Sequence, residues 1–273
     1  MTGQHERHNR RRGGRFVPGV ESLEERWLPT VHFFALGGVL FVGGDNAGDR
    51  ITIFDNGSSG VNNVLATAGR GTFIPGSAIS RVQVKTGLGN DRVTYNLLGS
   101  LGTNVGRTVA VSLGAGNNTF VANVAGNLST GSALALQVAG GPSADNFVVN
   151  VANDISIGAR ATLSVALIGG DGPDTMTVNY RGQDTGTVAV FTEGDAGADV
   201  INTQIVLNAG SNGAVSAQEL GGAGNDTFTL NEQKVNLFDG AAINAVIDGG
   251  QGINTAFASP AVTTTRTQFK FPV

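Results

Sequence analysis

The residues of this 273-residue chain best placed to do chemistry are acidic ones that return at nearly constant intervals. Asp91, Asn118, Asp145, Asp174, Asp199, Asp226 and Asn254 follow one another at gaps of 27, 27, 29, 25, 27 and 28 residues, each closing a turn. Most of these turns are glycine-rich, and two of them carry a further carboxylate, Asp171 and Asp195. Such a series can serve in either of two ways. Carboxylates on an acidic protein suit cation binding. Asp and Asn also tolerate tight turns and hydrogen-bond their own backbone, which needs no ligand. A looser copy of the turn, GGDNAGDRI around Asp49, lies 42 residues before Asp91 and out of step with the rest.

A fixed period of this size marks a repeat architecture, and the residues after each turn show what the repeat builds. Two positions beyond the acidic one stand Val93, Phe120, Phe147, Met176, Ile201 and Phe228. Four beyond stand Tyr95, Ala122, Val149, Val178, Thr203 and Leu230, with Thr94, Val121, Val148, Thr177, Asn202 and Thr229 between the two columns. This alternation is that of a strand with one buried face. Five beyond come Asn96, Asn123, Asn150, Asn179, Gln204 and Asn231, an amide in every copy. Strands stacked about 4.8 Å apart let identical amides hydrogen-bond from layer to layer. That requires like positions in register, which a solenoid provides and a sandwich does not. Of the two uses open to the column, holding coils in register where the strand bends is expected over presenting amides to a ligand.

Composition narrows the function. Without cysteine there are no disulfides, thiol nucleophiles or Cys-ligated zinc. The net charge of −4 conceals a basic start: residues 1–30 hold six Arg and four Glu, leaving eleven basic and seventeen acidic groups in the rest. An acidic body argues against a nucleic-acid partner. No apolar run reaches the roughly 18–20 residues of a membrane-spanning helix. His5, His8 and His32 lie outside the repeats, Lys85, Lys234 and Lys270 are scattered, and Glu193, Asp195 and Asp199 read as an acidic turn. The expectation is therefore of no enzyme.

Along the chain, residues 1–30 read as a basic sorting or targeting arm ending in a short amphipathic helix, with Val20, Leu23 and Trp27 between Pro18 and Pro29. VHFFALGGVLFV, residues 31–42, has the length of a signal-peptide core but fits better as a strand leading into GGDNAGDRITIF. Residues 31–80 are expected to form an antiparallel β cap, 81–257 the repeats, and 258–273 a C-terminal strand or cap. Each coil should hold two firm strands and a short third.

Two resemblances add to this reading. Arg15, Phe16, Pro18, Val20, Glu21, Leu23, Glu24, Arg26, Leu28 and Pro29 resemble the RxFxPxLExLExRxLP-type segment that opens many exported planctomycete repeat proteins. That resemblance implies export to the cell surface or the extracellular space. The turns resemble the hemolysin-type calcium-binding nonapeptide GGxGxDxUx, with U a large apolar residue. GGDGPDTMT (169–177) and GGAGNDTFT (221–229) match in full, while TGLGNDRVT (86–94) and GDAGADVIN (194–202) each lack one glycine. The resemblance implies weak Ca²⁺ binding by backbone carbonyls and by Asp91, Asp145, Asp174, Asp199 and Asp226, with Asp171 and Asp195 adding charge. Asn118 and Asn254 stand where that family has Asp, so purely structural turns remain the other reading.

Together these features predict an all-β fold: a single-stranded right-handed parallel β-solenoid (β-helix) with about 27-residue coils and an antiparallel N-terminal cap. The expected function is that of an exported, non-catalytic spacer or adhesion element, with cell-surface or matrix polysaccharide or protein as partner. A carbohydrate-binding or polysaccharide-acting β-helix is the alternative.

Overall fold

The computed structural model describes residues 31–69, 71–152, 154–236 and 239–259, and the backbone of a last strand at Arg266–Lys270. The expected sorting arm and its helix lie outside these residues. Among the described residues every element is a strand, so no helix is long and apolar enough to cross a membrane.

The chain opens with β1 (His32–Leu36), β2 (Val39–Gly43), β3 (Arg50–Asp55), β4 (Val64–Ala68) and β5 (Gly71–Phe73). Next come β6 (Arg81–Lys85), β7 (Arg92–Leu97), β8 (Gly106–Ser112), β9 (Thr119–Val124), β10 (Ala133–Ala139) and β11 (Asn146–Val151). A short β12 (Ile155–Ile157) precedes β13 (Thr162–Asp171), β14 (Thr175–Asp184), β15 (Thr187–Ala196) and β16 (Val200–Leu207). The series closes with β17 (Ala214–Leu220), β18 (Thr227–Lys234), β19 (Ala242–Asp248), β20 (Thr255–Ala258) and β21 (Arg266–Lys270).

Each coil sends one strand to each of two facing sheets. One sheet runs β1-β2-β6-β8-β10-β13-β15-β17-β19-β21, the other β5-β4-β3-β7-β9-β11-β14-β16-β18-β20. From β6 onward every pairing is parallel and in register, as in Asn96↔Asn123, Asn123↔Asn150 and Asn150↔Asn179. The protein is a parallel β-solenoid, and the antiparallel pairs are confined to β1–β2, β3–β4 and β4–β5 at its start.

The opening unit is more than a cap. Strands β2 and β3 already stack parallel on β6 and β7, so residues 39–55 form a first coil. The irregular 42-residue step comes from the β4–β5 hairpin inserted after it. The segment His32–Gly43 is a hairpin, in line with its reading as strand. The expected third strand is nearly absent. Early coils keep only single bridges, Leu101↔Leu128 and Leu128↔Ile157, and β12 is the one short strand there. In later coils the second strand simply runs on, so that β12 pairs with the end of β14.

Alternation fills the space between the sheets. The columns headed by Val93 and Tyr95 are buried in every coil from β7 to β18, and Leu134, Leu136, Leu163 and Val165 meet them from the other sheet. Each large apolar side chain among them contributes about 1.5–3 kcal/mol by leaving water. One polar exception joins the first coil to the next two. Asp55 on β3 accepts from Tyr95 Oη (2.8 Å) and Arg107 Nε (2.5 Å) at Oδ2, and from the Gly57 amide (2.8 Å) at Oδ1. Arg107, on β8, also donates to the Ile79 and Ser58 carbonyls. Both charged side chains are fully buried.

A buried ion pair is costly to leave half-made. Arg107→Ala should therefore lower the unfolding free energy in urea by about 3–5 kcal/mol, the cost of stranding one buried charge. A loss below about 1 kcal/mol would instead be that of an exposed pair.

Candidate functional site

At each turn the chain leaves one sheet and enters the other, and the acidic position is the last residue before the new strand. Its backbone carbonyl is taken by the next coil: Thr119 N–H donates to Asp91 O, Thr175 to Asp145 O, Val200 to Asp174 O and Thr227 to Asp199 O. The side chain of the next coil's acidic residue takes up its N–H. Asp49 N–H donates to Asp91 Oδ1, and the series continues through Asn118, Asp145, Asp174, Asp199 and Asp226 to Asn254 Oδ1. All seven bonds are 2.7–2.9 Å long. A buried N–H without a partner costs on the order of 1–3 kcal/mol, so the ladder accounts for an Asp or Asn in every coil.

The rung side chains lie inside the protein. Asp91, Asp145, Asp174, Asp199 and Asp226 are each at most 3% exposed, and their Oδ2 atoms have no hydrogen-bond partner. Room for Oδ2 comes from the glycine that opens the turn. A Cβ on Gly140, Gly169, Gly194 or Gly221 would lie 2.2–2.3 Å from the Oδ2 of Asp145, Asp174, Asp199 or Asp226. At Gly169 the same point lies 2.9 Å from the Gly194 carbonyl oxygen of the next coil. Further into the turn, Gly222 and Gly224 have φ of +91° and +152°, a region closed to most side chains. Asp195 occupies the position of Gly222 one coil earlier, with φ +68°, as Asp can. Its place in the sequence thus has a backbone reason.

The two asparagine rungs show what the second side-chain atom meets. Asn118 Nδ2 donates to the Gly116 carbonyl at 2.7 Å and the Gly114 carbonyl at 3.3 Å, and Asn254 Nδ2 donates to Gly249 O at 2.7 Å. With Oδ1 used in the same way, the Oδ2 of an aspartate rung falls where those amides place a donor. At Asp49 that oxygen accepts from the Asp45 N–H at 3.0 Å, whereas in the later aspartate rungs it has no hydrogen-bond partner. A proton or a cation would supply the missing contact, and burial works in the same direction. Desolvation, with Asp145, Asp199 and Asp195 nearby, pushes Asp174 up to about 7. Desolvation together with Asp226 and Asp195 pushes Asp199 up to about 6. Burial also raises Asp145 and Asp226 against the N–H bonds that lower them.

The structure thus unites five of the seven expected metal ligands, Asp91, Asp145, Asp174, Asp199 and Asp226, in one buried column. Asp171 and Asp195 lie on the rim of the turns, the first exposed and the second half-buried. Among the described residues no three His, Asp or Glu side chains form a cluster that could hold a metal ion. Several turn carbonyls are engaged in stacking: Ala196 O accepts from Gly172, Ala223 O from Gly197, and Asp195 O from Ala223.

Sequence reasoning missed that Asp49 is the first rung, because the inserted hairpin displaces it; the GDRI after its turn was the available signal. The amide column faces outward, half-exposed in the first four copies, and still bonds coil to coil: Asn123 Nδ2 to Asn96 Oδ1 at 2.9 Å, Asn150 to Asn123 at 3.3 Å, and Asn179 to Asn150 at 3.0 Å. The expected register role and an outward aspect therefore coexist. In comparisons with known proteins, no family model, curated protein or solved structure matches the chain.

The raised rungs set a pH dependence. The folded state holds these protons more tightly than the unfolded chain, so acid favours folding. Stability should be greatest below about pH 4 and fall as the pH rises through the folded values near 6 and 7. Asp199→Asn replaces Oδ2 with a donor, as at Asn118. It should stabilise the protein near pH 8 by on the order of 1–2 kcal/mol and flatten the dependence between pH 4 and 7. Thermal melts across that range read it, and destabilisation at pH 8 would show that Oδ2 needs no donor.

Proposed function

We propose that this chain is an exported, non-catalytic structural element of the cell surface or extracellular matrix, a spacer or adhesion rod, with weak calcium binding at its turns. The observation that carries the reading is the unbroken stack of eight rungs from Asp49 to Asn254. At a strand spacing of about 4.8 Å, such a stack makes a rod roughly 34 Å long. Export rests on the resemblance of residues 15–29 to planctomycete sorting segments.

Calcium is supported by the chemistry of the column. The Oδ2 atoms of Asp145, Asp174, Asp199 and Asp226 are buried without a hydrogen-bond partner, each beside a glycine whose missing Cβ makes room for it. Hard cations take oxygen ligands of this kind. With only one free buried rung oxygen per coil, affinity on the order of 10⁻⁴–10⁻³ M fits, as in extracellular modules. Asp171 and Asp195 would add charge at the rim.

A second reading is favoured by one feature. The outward amides from Asn96 to Asn231 offer a neutral polysaccharide a straight row of donors and acceptors beyond those spent on the ladder. Retardation of the protein in a gel containing a neutral glycan, abolished by Asn150→Ala with Asn179→Ala, would support it.

Calcium at about 10 mM should raise the melting temperature by a few degrees at pH 8, where the rungs are ionised. It should do less at pH 4, where protons hold the carboxyls of Asp174 and Asp199. Identical melting in calcium and in chelator at pH 8 would remove calcium from the account.

A further inference from the structure

We propose that Glu219, inside the solenoid, is a proton latch: neutral, it keeps the C-terminal coils closed, and they open more readily as it ionises. The latch is separate from the turn ladder and lies at the inward end of β17. Its column through the first sheet runs Val84, Val111, Val138, Leu167, Thr192, Glu219 and Ile247. Five of these seven positions are aliphatic, so this part of the column is built as core and then interrupted.

Glu219 is 0% exposed, and neither carboxyl oxygen has a hydrogen-bond partner. The groups around it can be named from each packed element. From β15 the neighbour in register is Thr192, and from β19 it is Ile247. Across the interior lie the Thr203 hydroxyl of β16 and the Glu232 carboxyl of β18. Lys234, the next inward residue of β18, donates Nζ–H to the Ala241 carbonyl. An isolated buried carboxylate is costly, and such groups neutralise instead. Burial pushes Glu219 up to about 8, opposed by the Thr203 hydroxyl and helped by the nearby Glu232.

Position turns this into a device. Coils of a solenoid contact only their neighbours, so a weak layer lets everything on its short side open as a unit. The short side here is β17 to β21, with the longer N-terminal stack remaining closed. The folded latch holds its proton more tightly than the unfolded chain, so closure is firmest near pH 4–5 and weakens as the pH rises to about 8. Above that it is level. The turn rungs act in the same direction, and Asp174, raised to about 7, is still losing its proton between pH 7 and 8, so it is the Glu219 variants, which leave every rung in place, that separate the two effects.

The test uses the full chain labelled with ¹³C at the Glu carboxyls. One carboxyl signal should remain that of a neutral acid at pH 6.5, titrate near 8, and be missing in Glu219→Gln. In hydrogen exchange corrected for intrinsic rate, opening of Ala214–Leu220 and Ala242–Asp248 should rise several-fold, up to about tenfold, from pH 7 to 8. The strands β7 to β11 should not change. Glu219→Gln, or Glu219→Leu to match Leu167 in the same column, should remove the rise. The proposal is overturned if every Glu of the wild-type chain titrates at an ordinary value. It is equally overturned if both variants keep the rise.

Discussion

In-register stacking at one strand spacing is the constraint on which the rest of this structure depends. A strand interior meets it through the backbone alone. At the turn the N–H of the last residue before each strand points along the axis and has no strand partner. Asp or Asn in the next coil supplies the acceptor, which is why the side-chain ladder runs unbroken from Asp49 to Asn254. The glycines follow from the same spacing, since a Cβ on Gly222 would lie 2.0 Å from the Asp195 carbonyl oxygen one coil away.

The ladder solves one problem and sets another. Oδ1 satisfies a backbone donor, but Oδ2 is carried into a place suited to a donor of its own. Asparagine at 118 and 254 resolves this within the side chain. At Asp49 a backbone N–H meets that oxygen, and at Asp174 and Asp199 burial favours a proton on it over a bare charge. Asp in place of Asn at rungs such as 174 and 199 therefore ties the stack to pH, where asparagine would not titrate. It is on this column that the proposed structural role and the proposed weak calcium binding both rest.

Much of this was legible in the sequence because the repeat writes each position several times. The columns headed by Val93 and Tyr95 marked the strands and their buried face, and the amides from Asn96 to Asn231 marked the register, though not which way the amides face. What stayed hidden involves single events. The hairpin Val64–Phe73 displaced Asp49 from the period. The Asp55–Arg107 pair joins residues 52 apart that no repeat relates. Glu219 sits at an inward position that its alternation made readable, yet a lone acid in AVSAQEL gives no sign that its neighbours are Thr192 and Thr203 in the coil before. The role of the acidic column was half visible: the turn chemistry of Asp and Asn was clear, but not that the bond would cross to the neighbouring coil.

The central claim, that like positions stack one coil apart, can be tested directly because the chain has no cysteine of its own. The measurement is oxidative cross-linking of paired cysteines introduced along the amide column. Asn123→Cys with Asn150→Cys places the two one strand spacing apart, about 4.8 Å, within the Cα range a disulfide accepts. Asn123→Cys with Asn179→Cys places them about 9.6 Å apart, beyond it. The account predicts ready intramolecular disulfide formation in the first pair and none in the second. Failure of the first pair in the folded protein, or equal cross-linking in both, would contradict the stacked register.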